Sequence, residues 1–111
     1  MNINWVENFN VAITIMDTEG KILYMNDKSA KTFSVDGGKQ LIGSNLFDCH
    51  SKRSSEIINR LLENKETNVY TIEKKGIKKM IYQTPWYEDG ECKGLVEMAL
   101  EIPFDMPHFV R

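Results

Sequence analysis

Two side chains capable of chemistry sit next to each other at Cys49-His50, inside the stretch NLFDCHSKRSSEIINRLL that runs from Asn45 to Leu62. A thiol at the start of a helix is acidified by the free amides there. An imidazole carries protons near neutral pH and is a common metal ligand. Adjacent residues do not face each other on a helix, however, so His50 is badly placed to act as a base for Cys49. The pair also has a structural reading. Cys49 then serves as a small buried hydrophobe, and His50 braces the helix start by bonding a backbone carbonyl while Asp48 or Ser51 satisfies the free amides. No Ser-His-Asp set, phosphate-cradling glycine loop or paired metal carboxylates stands out elsewhere, so the chain is not expected to be an enzyme. Cys49 and Cys92 form neither a CxxC pair nor a zinc pattern.

The elements that position this stretch must fit one domain, the most that 111 residues allow. The composition is that of an ordinary soluble protein, and a net charge of −2 argues against a general nucleic-acid binder, which would show a basic excess. Lys74, Lys75, Lys78 and Lys79 straddle Gly76 and read as a charged hairpin tip that discourages edge pairing. The opening MNINWVENFN has no basic and apolar regions of a signal peptide. No apolar run approaches the roughly 20 residues of a membrane span. The expected location is cytoplasmic, without a disulfide framework.

Along the chain, Trp5, Val6 and Phe9 are spaced for one helical face, which predicts a lead-in helix over residues 1–10. VAITIMDTEGKILYMN then reads as a hairpin turning at Asp17-Thr18-Glu19-Gly20. NDKSAKTF opens with good N-cap residues and predicts a short helix. The glycine-broken SVDGGKQLIGSN predicts short turns. Ile57, Ile58, Leu61 and Leu62 stripe a helix from about Ser51 to Glu63. Three strands follow in TNVYTIEKK, IKKMIYQTPWY and GLVEMALEI, joined at Lys75-Gly76 and Asp89-Gly90. In the last, Val96, Met98, Leu100 and Ile102 share the face expected to pack, while Leu95, Glu97, Ala99 and Glu101 share a wetter one. Pro85 should sit near a bulge or an unpaired end. The tail 104–111, with Phe104 and Phe109, is expected to lie against something rather than to extend a strand. The order is an α+β arrangement, an antiparallel sheet with its helices inserted after strand two and grouped on one face.

AITIMDTEGKILYMND, LIGSNLFD and DGECKGLVEMALEI, in that order and spacing, resemble the opening hairpin, the L-x-G segment and the closing strands of a PAS domain. The FDCH run resembles a bacterial subgroup of that family. The resemblance covers nearly everything from Asn10 to Ile102, placing the domain at residues 11–103. It implies a PAS-like fold, with a five-stranded sheet in the order 2-1-5-4-3 and helices enclosing a pocket on its inner face. It also implies a sensor that holds haem, flavin or a small metabolite, or a cofactor-free module that dimerises through the outer sheet face. Fold alone does not choose among these.

Flavin-cysteine photochemistry is not expected, because Leu46 follows Gly43-Ser44-Asn45 where photosensory relatives have cysteine. For haem, His50 is the expected axial ligand. Projected back along the helix, it falls within roughly 20° of whole turns from Ile57 and Leu61. The best-known haem-binding relatives place the ligand inside the long helix, where this chain has no histidine after His50; His108 lies in the tail. The expected pocket residues are Ile13, Ile15, Leu46, Phe47, Ile57, Ile58, Leu61, Tyr82, Met98 and Leu100, with plain core packing as the alternative for each. Trp5, Phe9 and Trp86 are candidate interface anchors. The expected partners are a small-molecule ligand or haem, a second copy in a homodimer formed through the lead-in helix and the outer sheet face, and an effector in trans or in a longer parent chain, with transcription regulation one possible output.

Overall fold

Asp17 makes the first reversal of the chain. It ends strand β1 (Ala12–Asp17), and its Oδ1 accepts the amides of Glu19 and Lys21, each at 2.9 Å. Gly20 adopts φ 86° in this turn, and a Cβ there would sit 2.5 Å from the ring of Phe47. Glycine is therefore required for both its backbone and its lack of bulk. Strand β2 (Ile22–Met25) returns antiparallel, with Leu23 as an extra residue between the Met16–Ile22 and Ile15–Tyr24 pairs.

The computed structural model describes residues 3–49 and 52–111. His50 and Ser51, together with the side chains of Asp48 and Cys49, lie outside the described residues, and so do the roles expected of the Cys49-His50 pair.

Asn26 joins three parts of the fold and is fully buried. Its Oδ1 accepts from the amides of Ile13 and Ser29, both at 3.0 Å, and its Nδ2 donates to the carbonyls of Val6 at 2.9 Å and Val11 at 2.8 Å. The bond to Ser29 is the N-cap of helix α1 (Asp27–Thr32). The bond to Val6 helps explain why the expected lead-in helix does not form. Residues 3–10 instead run as irregular chain with a turn in which the Phe9 amide bonds the Val6 carbonyl at 3.3 Å. The Val6 and Glu7 carbonyls, which a helix would use internally, accept from the Asn26 side chain and the Asp27 amide. The i, i+4 spacing still brings Trp5 and Phe9 together edge-to-face, with centroids 5.1 Å apart.

Two 3₁₀ turns, Ser34–Asp36 and Gly38–Leu41, lead to the short helix α2 (Leu46–Cys49) and the long helix α3 (Lys52–Asn64). Strands β3 (Asn68–Lys74), β4 (Ile77–Glu88) and β5 (Glu91–Ile102) complete the chain through two-residue turns at the expected positions. The sheet is antiparallel in the order β2-β1-β5-β4-β3, as the family resemblance implied. Pro85 pairs with Leu95 beyond the end of β3 and one residue before the shift of register at Trp86–Tyr87, so no ladder needs its missing amide on the β3 side.

Where β5 passes β1, Gly94 has φ 151°, and a Cβ there would lie 1.8 Å from the Met16 carbonyl oxygen. Only a bare backbone fits. The indole of Trp86 reaches across this strand to donate to the same carbonyl at 3.0 Å. Beside it the core closes: Met16, Leu95, Ile58 and Leu61 are buried together, with Leu46, Phe47, Ile57 and Leu62 packed around them. Burying each such side chain contributes about 1.5–3 kcal/mol. Pro103 follows the end of β5, and the tail runs on without extending the strand, with Phe104 and Phe109 at 56% and 71% exposed. No described helix is long and apolar enough to cross a membrane.

Candidate functional site

Strand alternation fixes which side chains can meet the helices. Thr14 faces inward, because its Oγ1 lies 2.5 Å from Oγ of Ser29 on α1. Met16 and Leu95 also face inward, in the core with α3. Glu97, paired with Thr14 and two residues from Leu95, therefore shares the inner face. Ile13, Ile15, Tyr82, Met98 and Leu100 occupy the opposite, outer face, as the Ile13–Met98 and Tyr82–Met98 pairs require. The expected inner pocket is thus corrected on its sheet side. The more apolar face of β5 points away from the helices, and the face with Glu97 points toward them.

Between the inner face and the 33–46 segment lies a cavity of about 290 Å³. Thr14 and Met16 of β1, Ile22 and Met25 of β2, and Glu97 of β5 form its sheet side. Phe33, Asp36, Leu41, Ser44 and Leu46 form its other wall. That wall is stitched to the sheet by backbone bonds from Ile22 to Ser44 (2.9 Å), Gly43 to Ile22 (2.8 Å) and Leu46 to Gly20 (2.8 Å). Of the residues expected to line a pocket, Leu46 does so, while Phe47, Ile57, Ile58 and Leu61 belong to the neighbouring core. The remaining lining residues were not among those expected. For Glu97 the signal was a charged position amid apolar neighbours on β5, which can face a cavity as readily as bulk solvent.

Glu97 is held from one side. Its Oε2 accepts from Nε2 of Gln83 at 3.2 Å, and Oε1 of Gln83 accepts from Nδ2 of Asn68 at 3.0 Å. Gln83 is buried. Tyr70, also on the inner face, has its phenol pKa raised, first by burial and then by the charge of Glu97. The far wall has its own tie to the N-terminal segment. Lys39, two residues before Leu41, pairs with Glu7 and lies 3.5 Å from Asp27, and Glu7 also accepts from the Tyr24 hydroxyl. The Lys39 ammonium and then the Tyr24 hydroxyl hold the Glu7 carboxyl down to about 2.

The expected haem ligand, His50, lies outside the described residues, and the described cavity is small for a haem. The cavity has room for on the order of ten non-hydrogen atoms, taking the ~30 Å³ that a water occupies in the liquid as the size of each. A tetrapyrrole carries several times that number. No imidazole lines the cavity among the described residues; His108 is exposed in the tail.

The chain belongs to the PAS-fold family, whose model matches residues 6–103. No curated protein matches it. Among solved structures it is similar to the Aer2 receptor of Vibrio cholerae, described as a dual PAS-haem oxygen sensor, with a TM-score of 0.66 at 16% identity over 84% of this chain and 95% of that one. It is also similar to the PAS domain of the histidine kinase ThkA, with a TM-score of 0.66 at 18% identity over 80% of this chain and 96% of that one. A third similar structure is VqmA bound to DPO, with a TM-score of 0.70 at 11% identity over 88% of this chain and 54% of that one.

Proposed function

We propose that this chain is a sensory PAS domain that holds a small, mostly apolar molecule in the cavity between the sheet and the 33–46 wall. The observation that carries the reading is the cavity itself, apolar in most of its lining with Thr14, Asp36, Ser44 and Glu97 as polar contacts. The structure of VqmA with DPO supports it, since a protein of similar fold is described there with a bound molecule. Occupancy favours one position of the wall. Through Lys39 and Glu7 that position reaches the N-terminal segment, so ligand shifts a population rather than driving a reaction. The readout is a second copy or an effector, in trans or in a longer parent chain, docked on the outer sheet face.

A fragment screen by thermal unfolding tests this. Hits should raise the Tm of the native protein but not that of Leu41→Trp or Ser44→Leu, whose larger side chains fill the cavity. A screen without hits, or hits that stabilise all three proteins equally, would contradict the reading.

The likeness to the Aer2 haem sensor favours a second reading, haem with His50 as axial ligand. It requires more room than the described cavity has. A Soret band on adding hemin, lost in His50→Ala, would support it; a protein that leaves hemin unchanged would exclude it.

A further inference from the structure

We infer that the ligand of this cavity carries a protonated amine, which the Glu97 carboxylate binds; the inference rests on the cavity being a ligand site. The four polar side chains in the lining are two carboxylates, Asp36 and Glu97, and two hydroxyls, Thr14 and Ser44, with no lysine, arginine or histidine among the described residues there. The ion pairs of the described residues join Lys39 to Glu7 and Asp27, and Lys93 to Glu91, so none neutralises either carboxylate of the cavity.

The amide chain behind Glu97 runs in a fixed direction. An ionised carboxylate only accepts hydrogen bonds, so Gln83 must present its NH₂ to Glu97. Its carbonyl oxygen then turns the other way, where the Asn68 NH₂ satisfies it. The chain Asn68–Gln83–Glu97 is self-consistent with Glu97 as a charged acceptor. It occupies Oε2 and leaves Oε1 without a protein donor among the described residues.

A carboxylate beside an apolar cavity is costly to desolvate unless a cation meets it. A ligand ammonium supplies both the charge and the donor, and Met16 and Met25 adapt to its hydrocarbon part. A ligand carboxylate would instead meet two like charges.

Calorimetric titration with n-hexylamine, 1-hexanol and hexanoate at neutral pH tests the inference, because the three share a hydrocarbon chain and differ in the head group. The amine should bind about tenfold or more tighter than the other two, a preference of the size charge-assisted bonds give. Glu97→Gln, which keeps an acceptor for Gln83, should remove most of that preference, and Asp36→Asn should reduce it. If the alcohol or the acid binds as tightly as the amine, or if Glu97→Gln leaves the preference intact, the amine inference falls while the ligand site stands. If none of the three binds, the ligand-site reading falls with it.

Discussion

Glu97 on β5 is the cross-strand partner of Thr14 on β1, and both side chains line the same cavity. The pairing sets the floor of the site on two central strands of the sheet, the part least free to move. The wall from Phe33 to Leu46 is made of short turns, and under the proposed function it is the part that ligand binding would shift.

The Asn26 side chain carries four hydrogen bonds in a fully buried position. Asn26→Ala leaves two amides and two carbonyls without these partners and should cost roughly 3–5 kcal/mol. Urea unfolding measures it. A loss below about 1 kcal/mol would mean water replaces the side chain.

Gly94→Ala should lower stability by roughly 3 kcal/mol or prevent folding, since the added methyl meets the β1 backbone rather than a side chain that can turn aside. Circular dichroism during heating gives the answer. An unchanged Tm would show that β1 and β5 can separate at this point at little cost.

Glu7 should titrate near 2 rather than at its ordinary 4.5. Because the folded value is the lower one, the Glu7–Lys39–Tyr24 contacts contribute fully above 4.5 and are lost as the pH falls through about 2. The Lys39 ammonium is raised by the same pair, so its share is present below 10.5 and lost as the pH rises through the raised value. Carboxyl-carbon NMR should show the Glu7 midpoint moving back toward 4.5 in Lys39→Met, with the Tyr24 bond retaining part of the shift. An identical midpoint in both proteins would remove Lys39 as the cause.

The outer face carries Ile13, Ile15, Tyr82, Met98 and Leu100. If a second copy docks there, Met98→Glu should convert dimer to monomer in sedimentation velocity while leaving the fold intact. A monomeric native protein at high concentration, or a dimer indifferent to Met98→Glu, would move the readout to another surface.

Much of this fold was legible because its signals are local. Asp17 and Gly20 marked the first turn, Asn26 marked the helix start, and the Ile57–Leu62 stripe marked the buried face of α3. The five-stranded order came from the family resemblance and not from any single stretch. The lead-in escaped, since the bonds that decide its shape come from Asn26 and Asp27, about twenty residues on. The sheet side of the site escaped for a different reason. Alternation separates Glu97 from Met98 but does not say which of them meets the helices. Apolarity pointed to Met98, whereas a cavity that holds a polar contact is lined by Glu97.

The most direct test of the cavity as the ligand site is the methyl-carbon spectrum of the methionines, recorded with n-hexylamine and again with 1-hexanol. Met16 and Met25 line the cavity, and Met80 and Met98 lie on the outer face. Saturable shifts of Met16 and Met25 with Met80 and Met98 unmoved are the predicted result. Shifts at Met80 and Met98 instead, or at none of the four, would contradict it.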